Sequence, residues 1–148
     1  MDLIIEKKFE NVRRKVSASA SDMVVFSSND DDLNRRVMEK LKIGMLLISQ
    51  SERRDFSKQR NSGLNHVLAK IAKKNNIEIG INLDEIVESS SIKLPQIFSR
   101  VGQNIVLCNK AKVKMKFISI KGVNSRDVHS LKSLGLVLGM PTWMVKGL

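Results

Sequence analysis

Short apolar runs separated by helix-length amphipathic segments constrain this chain more than any other feature. Residues 3–5, 23–26 and 44–48 are strand-like. Ile77, Ile79 and Ile81 alternate with Glu78 and Gly80, the period-two pattern of a fourth strand. Val113, Met115 and Phe117 alternate with Lys114 and Lys116, giving a fifth. Helices fall between the runs. Asn29, Asp30, Asp31 and Asp32 offer N-caps and favourable negative charge for a helix through about Lys40. Leu64, Val67, Leu68 and Ile71 share one helical face, as do Leu94, Ile97, Phe98, Val101 and Ile105. Ser125 can cap a helix carrying Val128, Leu131 and Leu134, closed near Gly135 or Gly139, and Pro141 suits the first turn of a final short helix. Strands alternating with helices predict βαβ crossovers and a mostly parallel sheet. The polar stretch 49–62 follows a strand and precedes a helix, so it belongs at the C-terminal edge of that sheet, where functional loops gather. Lys114 and Lys116 resist the picture of a strand covered on both faces; they suit a solvated strand start or a sheet open at that point.

The chain reads as one domain, 1–148, with no linker long enough to divide it. No apolar run approaches the roughly 18 residues that span a bilayer, and the start of the chain is too short and acidic for a secretory signal. A cytoplasmic protein with no membrane partner is expected. Cys108 is the single cysteine, so no disulfide framework or thiolate metal cluster can form, and its apolar surroundings predict burial.

The net charge of +11 is uneven. Residues 1–89 hold 16 Lys+Arg against 14 Asp+Glu, whereas residues 90–148 hold 10 Lys+Arg against Asp127 alone. Self-repulsion of that size favours a polyanionic partner, and nucleic acid is the usual one; a solvated lysine surface is the plain alternative. Arg53, Arg54, Lys58 and Arg60 crowd the polar loop, and Lys70, Lys73 and Lys74 follow on one face of the next helix. With Arg100, Lys121 and Arg126 they could form a phosphate-binding surface. His66 and His129 are the only histidines, and each stands alone on a helix. His66, beside Val67 and Leu68, suits a partly buried, hydrogen-bonded histidine. Neither belongs to a His/Asp/Glu constellation for hydrolytic metal. No phosphate loop, dinucleotide fingerprint or partnered nucleophile is present. Phe and Trp are scarce and Tyr is absent, so charge and RNA shape, rather than a stacking platform, are the expected means of recognition.

Gly63, Asn65, His66, Val67, Leu68, Ala69 and Lys70, followed by Ile79, Gly80, Ile81 and Leu83, resemble the central signature of ribonuclease P protein component 3. Arg126, Asp127 and Val128, with residues 134–140, resemble its C-terminal helix and the Leu-Gly turn that ends it. The resemblance implies a TIM-barrel-like array of parallel βα repeats. At this length the barrel would be reduced or incomplete, because eight units need about 250 residues. It implies a subunit of the ribonucleoprotein that removes the 5′ leader from precursor tRNA. Catalysis would come from the RNA subunit, with Mg2+ on that RNA and no cofactor in this chain. The chain would bind and stabilise the catalytic RNA and pair with ribonuclease P protein component 2. RNA contacts are expected from Arg53, Arg54, Lys58, Arg60, His66, Lys70, Lys74 and Arg126, with His66 and Asp127 orienting loops. The chain departs from the family pattern at residues 119–122, where Ser119, Ile120, Lys121 and Gly122 replace a small-residue turn, and at Gln59, where relatives often carry a basic residue. The rival class is a metal-dependent phosphoesterase or nuclease on a related barrel.

Overall fold

The computed structural model describes residues 1–148. The strands are β1 (Asp2–Ile5), β2 (Val24–Ser27), β3 (Met45–Ile48), β4 (Glu78–Asn82) and β5 (Met115–Ile118). They form one parallel sheet in the order of the chain, β1-β2-β3-β4-β5. The helices are α1 (Phe9–Ala18), α2 (Asp31–Lys40), α3 (His66–Lys74), α4 (Leu83–Glu88), α5 (Leu94–Ala111), α6 (Val128–Leu138) and α7 (Thr142–Lys146). Each crossover carries at least one helix and advances in the same direction. Right-handed connections then put every crossover helix on one face of the sheet.

The packing shows that face. Phe26, Leu46, Ile48, Ile79, Ile81 and Phe117 point from the strands into one core with Val12, Val37, Met38, Leu68, Ala72, Ile97, Val101, Ile105 and Cys108. The alternate strand positions, Val25, Met45 and Leu47, form a small separate cluster with Leu3, Met23 and Ile118 at its margin. Val25 and Leu47 are fully buried although no helix covers them. The sheet therefore curls on this side, and Gly80 helps it do so. A Cβ there would lie 2.9 Å from Met45 Sδ and 3.0 Å from Leu47 Cδ1. The architecture is an arc of a singly wound barrel; β1 and β5 are both edges, and the barrel is not closed.

The lysines of β5 are explained by that edge. Lys114 precedes the strand, and Lys116 lies on the face without helices, where its Nζ is 3.5 Å from Glu78 Oε2. The sheet is open there. The expected five strands form, and so do the helices expected after β2, β3, β4 and β5. Helix α6 starts later than expected: Asp127, not Ser125, is the cap, and its carboxylate accepts the Ser130 N–H. Gly139, at φ +99°, ends α6 in the left-handed conformation that glycine adopts without strain. No helix is long and apolar enough to cross a membrane.

A candidate nucleic-acid interface on the C-terminal edge of the sheet

The long loop after β3, residues 49–65, is fixed at both ends by buried polar contacts. On its entering side, Glu85 of α4 accepts the Gln50 N–H (2.8 Å), the Ser51 N–H (3.0 Å) and the Ser51 hydroxyl (2.7 Å). Arg100 of α5 donates to the Gln50 carbonyl (3.0 Å) and to Asp55 (3.0 Å). On the returning side, the Ser62 carbonyl accepts from Gln50 Nε2 (2.8 Å) and Asn104 Nδ2 (3.0 Å). Gln50, Ser62, Arg100 and Asn104 are all buried, so these bonds are shielded from water. The Asn61 N–H, and then the Arg100 guanidinium, hold the Asp55 carboxyl below the usual carboxylate range.

Arg53 belongs to this scaffold. Its guanidinium bridges both oxygens of Asp31 at the start of α2 (3.0 and 2.8 Å), the Asn61 side chain and the Ser49 carbonyl. Its side chain is only 9% exposed and ties the loop to α2. Gly63 makes room for it. At φ +78°, a Cβ on Gly63 would lie 2.5 Å from Arg53 Nη2 and 2.8 Å from Ile48 Cγ2. Gly63→Ala combines left-handed strain with this overlap and should cost about 2 kcal/mol. A urea titration measures it; an unchanged midpoint would count against the packing described.

The middle of the loop turns outward. Phe56 and Gln59 pair through backbone bonds around a two-residue turn, Ser57 and Lys58. Arg54, Lys58 and Arg60 are exposed and make no ion pair within 4 Å. The loop thus presents three cations outside any ion pair, on a base held by buried polar contacts.

A second loop, after β5, is held by the residue adjacent to Glu85. Asp84 accepts from Ser119 Oγ (2.7 Å), the Ile120 N–H (2.8 Å), the Lys121 N–H (3.1 Å) and Asn124 Nδ2 (2.9 Å). Burial opposes its charge, but these donors outweigh burial and hold the carboxyl below its ordinary value. Two neighbouring carboxylates at the first turn of α4 therefore fasten both loops of this edge. Beside them, Glu88 pairs with Lys121 and accepts from Asn124. A cleft of about 530 Å³ lies among Ser51, Asp84, Glu85, Glu88, Lys93 and Lys121. Its carboxylates face N–H, O–H and ammonium donors, and no His/Cys/Asp/Glu group is spaced to hold a metal ion.

The other basic residues are distributed by the helices that carry them. His66 is the first residue of α3, at the loop end, and is exposed; the expectation of a partly buried, hydrogen-bonded histidine is corrected. Lys70 lies along α3, and Lys74 is its last residue, about 12 Å from His66 at 1.5 Å per residue. Lys74 therefore belongs to the opposite edge of the sheet. Arg126 is exposed in the loop after β5 and donates only to the neighbouring Ser125 carbonyl. Arg100 is buried and Lys121 is paired, so neither adds free charge.

The N-terminal edge holds a larger cleft, about 890 Å³, lined by Lys40, Lys42, Lys73, Lys112 and Lys114. Part of its charge is answered from within. Lys73 donates to the Lys112 carbonyl, and Lys112 lies 5.4 Å from the Trp143 ring centroid. Helices α1, α2, α3 and α5 all end there, each bringing roughly half a negative charge. Asp22 and Glu78 add two carboxylates. The C-terminal edge is the one where helices begin and where Arg54, Lys58 and Arg60 project outside any ion pair.

No family model matches the chain. The chain is similar to curated proteins named ribonuclease P protein component 3. One from Methanococcus maripaludis is 24% identical over 135 residues, covering 91% of this chain and 52% of the relative. One from Methanococcoides burtonii is 28% identical over 118 residues, covering 76% of this chain and 46% of the relative. The chain spans about half the length of the curated relatives it matches. Its fold matches a chain in a cryo-EM structure of archaeal ribonuclease P with mature tRNA, with a TM-score of 0.79 and 17% identity, over 97% of this chain and 62% of that one. These findings bear out the resemblance read from the residues around His66 and Arg126.

Proposed function

We propose, from its similarity to ribonuclease P protein component 3, that this chain is a protein subunit of a ribonuclease P in the cytoplasm. It binds and stabilises the catalytic RNA of an enzyme that cleaves the 5′ leader from precursor tRNA. The RNA, with its Mg2+, carries the chemistry, and a component 2 protein is the expected neighbour. The observation that carries this reading is the clamped loop with Arg54, Lys58 and Arg60 exposed and unpaired. Phosphates supply what those cations lack. His66 and Arg126, on the same edge, extend the surface; Lys70 and Lys74 lie away from it and contribute less. The carboxylates of this edge hold loops in place, which disfavours the metal-dependent nuclease.

The triple substitution R54E/K58E/R60E should weaken binding to a ribonuclease P RNA about ten- to hundredfold in moderate salt. It should also flatten the plot of log affinity against log salt by about two to three, since each phosphate contact contributes close to one. K70E/K74E should have a much smaller effect. Equal salt slopes for wild type and the triple variant would overturn the reading, as would precursor-tRNA cleavage by the chain without any RNA subunit.

A further inference from the structure

We infer that Phe56 is a stacking residue that takes the face of one unpaired RNA base, while Arg54, Lys58 and Arg60 hold the adjoining phosphates. The inference rests on the RNA-binding function proposed above and adds a ligand preference to it. Of the five phenylalanines, Phe26 and Phe117 are buried and Phe98 is half-buried, while the ring of Phe9 lies 4.0 Å beneath Arg36. Phe56 is different: 63% of it is exposed at the outer turn of the basic loop.

A single exposed apolar residue is ordinary by itself. Its setting separates this one from a chance exposure. The Phe56 N–H donates to the Gln59 carbonyl at 2.8 Å, so the backbone under the ring is fixed. Asp55, the preceding residue, is held by Arg100 and by the Asn61 N–H. A ring presented on a fixed turn loses little conformational freedom when it is covered, so more of the contact appears as affinity. The residues around it decide the partner. Cations stand two before it, two after it and four after it, all exposed and none in an ion pair. A protein partner would have to supply carboxylates for all three beside an apolar pocket. A nucleotide supplies both in one unit, a base face and a phosphate, and stacking tolerates any base. This is one ring, not a platform, which fits the scarcity of aromatics in the chain.

The test uses the full chain and two RNA probes, a stem with an unpaired loop and the same stem fully paired. Phe56→Ala should weaken binding to the looped RNA by roughly five- to hundredfold, the range for loss of one stacked base, and leave the paired stem unchanged. Phe56→Leu keeps apolar area without a π face and should behave like alanine. Phe56→Trp should bind the looped RNA at least as well as wild type, with indole fluorescence quenched on binding. Unfolding midpoints should match wild type, because the ring belongs to neither apolar core. If wild type binds neither RNA, the function proposed above fails. If wild type binds both and Phe56→Ala binds both equally well, the stacking role alone is overturned. Loss of a protein partner with RNA binding intact would overturn it too.

Discussion

Asp84→Ala should lower the unfolding free energy by about 3 kcal/mol, the upper end of the cost of losing hydrogen bonds to a charged acceptor. Asp84 is 5% exposed and accepts four hydrogen bonds from the loop after β5. Bonds to a charged acceptor contribute about 1.5–3 kcal/mol each, but donors sharing one carboxylate are not additive. Alanine leaves the Ile120 and Lys121 N–H groups without their acceptor, while the Asn124 amide keeps only Glu88. Asp84→Asn should recover only part of the loss, because its NH2 faces N–H donors. The pH dependence follows from the lowered pKa of this carboxyl. Its folded value lies below its unfolded one, so its contribution is complete above about pH 4 and declines as pH falls through the folded value. The gap between wild type and Asp84→Asn should therefore be widest near pH 7 and narrow in strong acid. Urea unfolding at pH 7 and pH 3 checks both statements. A loss under 1 kcal/mol at pH 7, or a gap that widens in acid, would contradict the role assigned to Asp84.

The strands were legible because a parallel sheet writes itself as short apolar runs at regular spacing. Two helices were not. In α1 only Phe9, Val12 and Val16 are large and apolar, among five charged or amide residues, so periodicity gives a thin stripe. Helix α4 follows β4 with no residue between them, and its capping residue, Asn82, is the last of the strand. The basic loop could be found from composition, but not the division of labour within it. Arg53 and Arg54 are neighbours of the same type, yet one is buried against Asp31, 22 residues away, and the other is free. Asp84 and Glu85 carry no local signal, because their partners lie about 35 residues off in opposite directions along the chain. Lys74 was grouped with the loop by sequence proximity, although one helix length carries it to the far edge. For Arg53, Asp84 and Glu85 the missing information was a contact distant in sequence, which local spacing does not encode.

Arg100→Met should cost about 3 kcal/mol and loosen the RNA-facing loop while the rest of the fold stays intact. The estimate sits at the low end of the range for breaking a buried ion pair, because the partner left behind, Asp55, is 40% exposed and can recover water. Methionine fills the space but cannot donate to the Gln50 carbonyl and the Asp55 carboxylate together, as the guanidinium does. Arg100→Lys should rescue little, since an ammonium is a point donor without the planar fork that reaches both acceptors. The effect should appear first between Arg54 and Arg60, as faster proteolysis there at denaturant concentrations that leave the sheet folded. RNA affinity should fall about tenfold with the salt slope unchanged, because the phosphate-binding cations remain but must be ordered on binding. That combination distinguishes positioning from contact. A flattened salt slope in Arg100→Met would mean that Arg100 meets phosphate itself, which its burial opposes, and unchanged proteolysis would mean that Glu85 and Ser62 suffice to hold the loop.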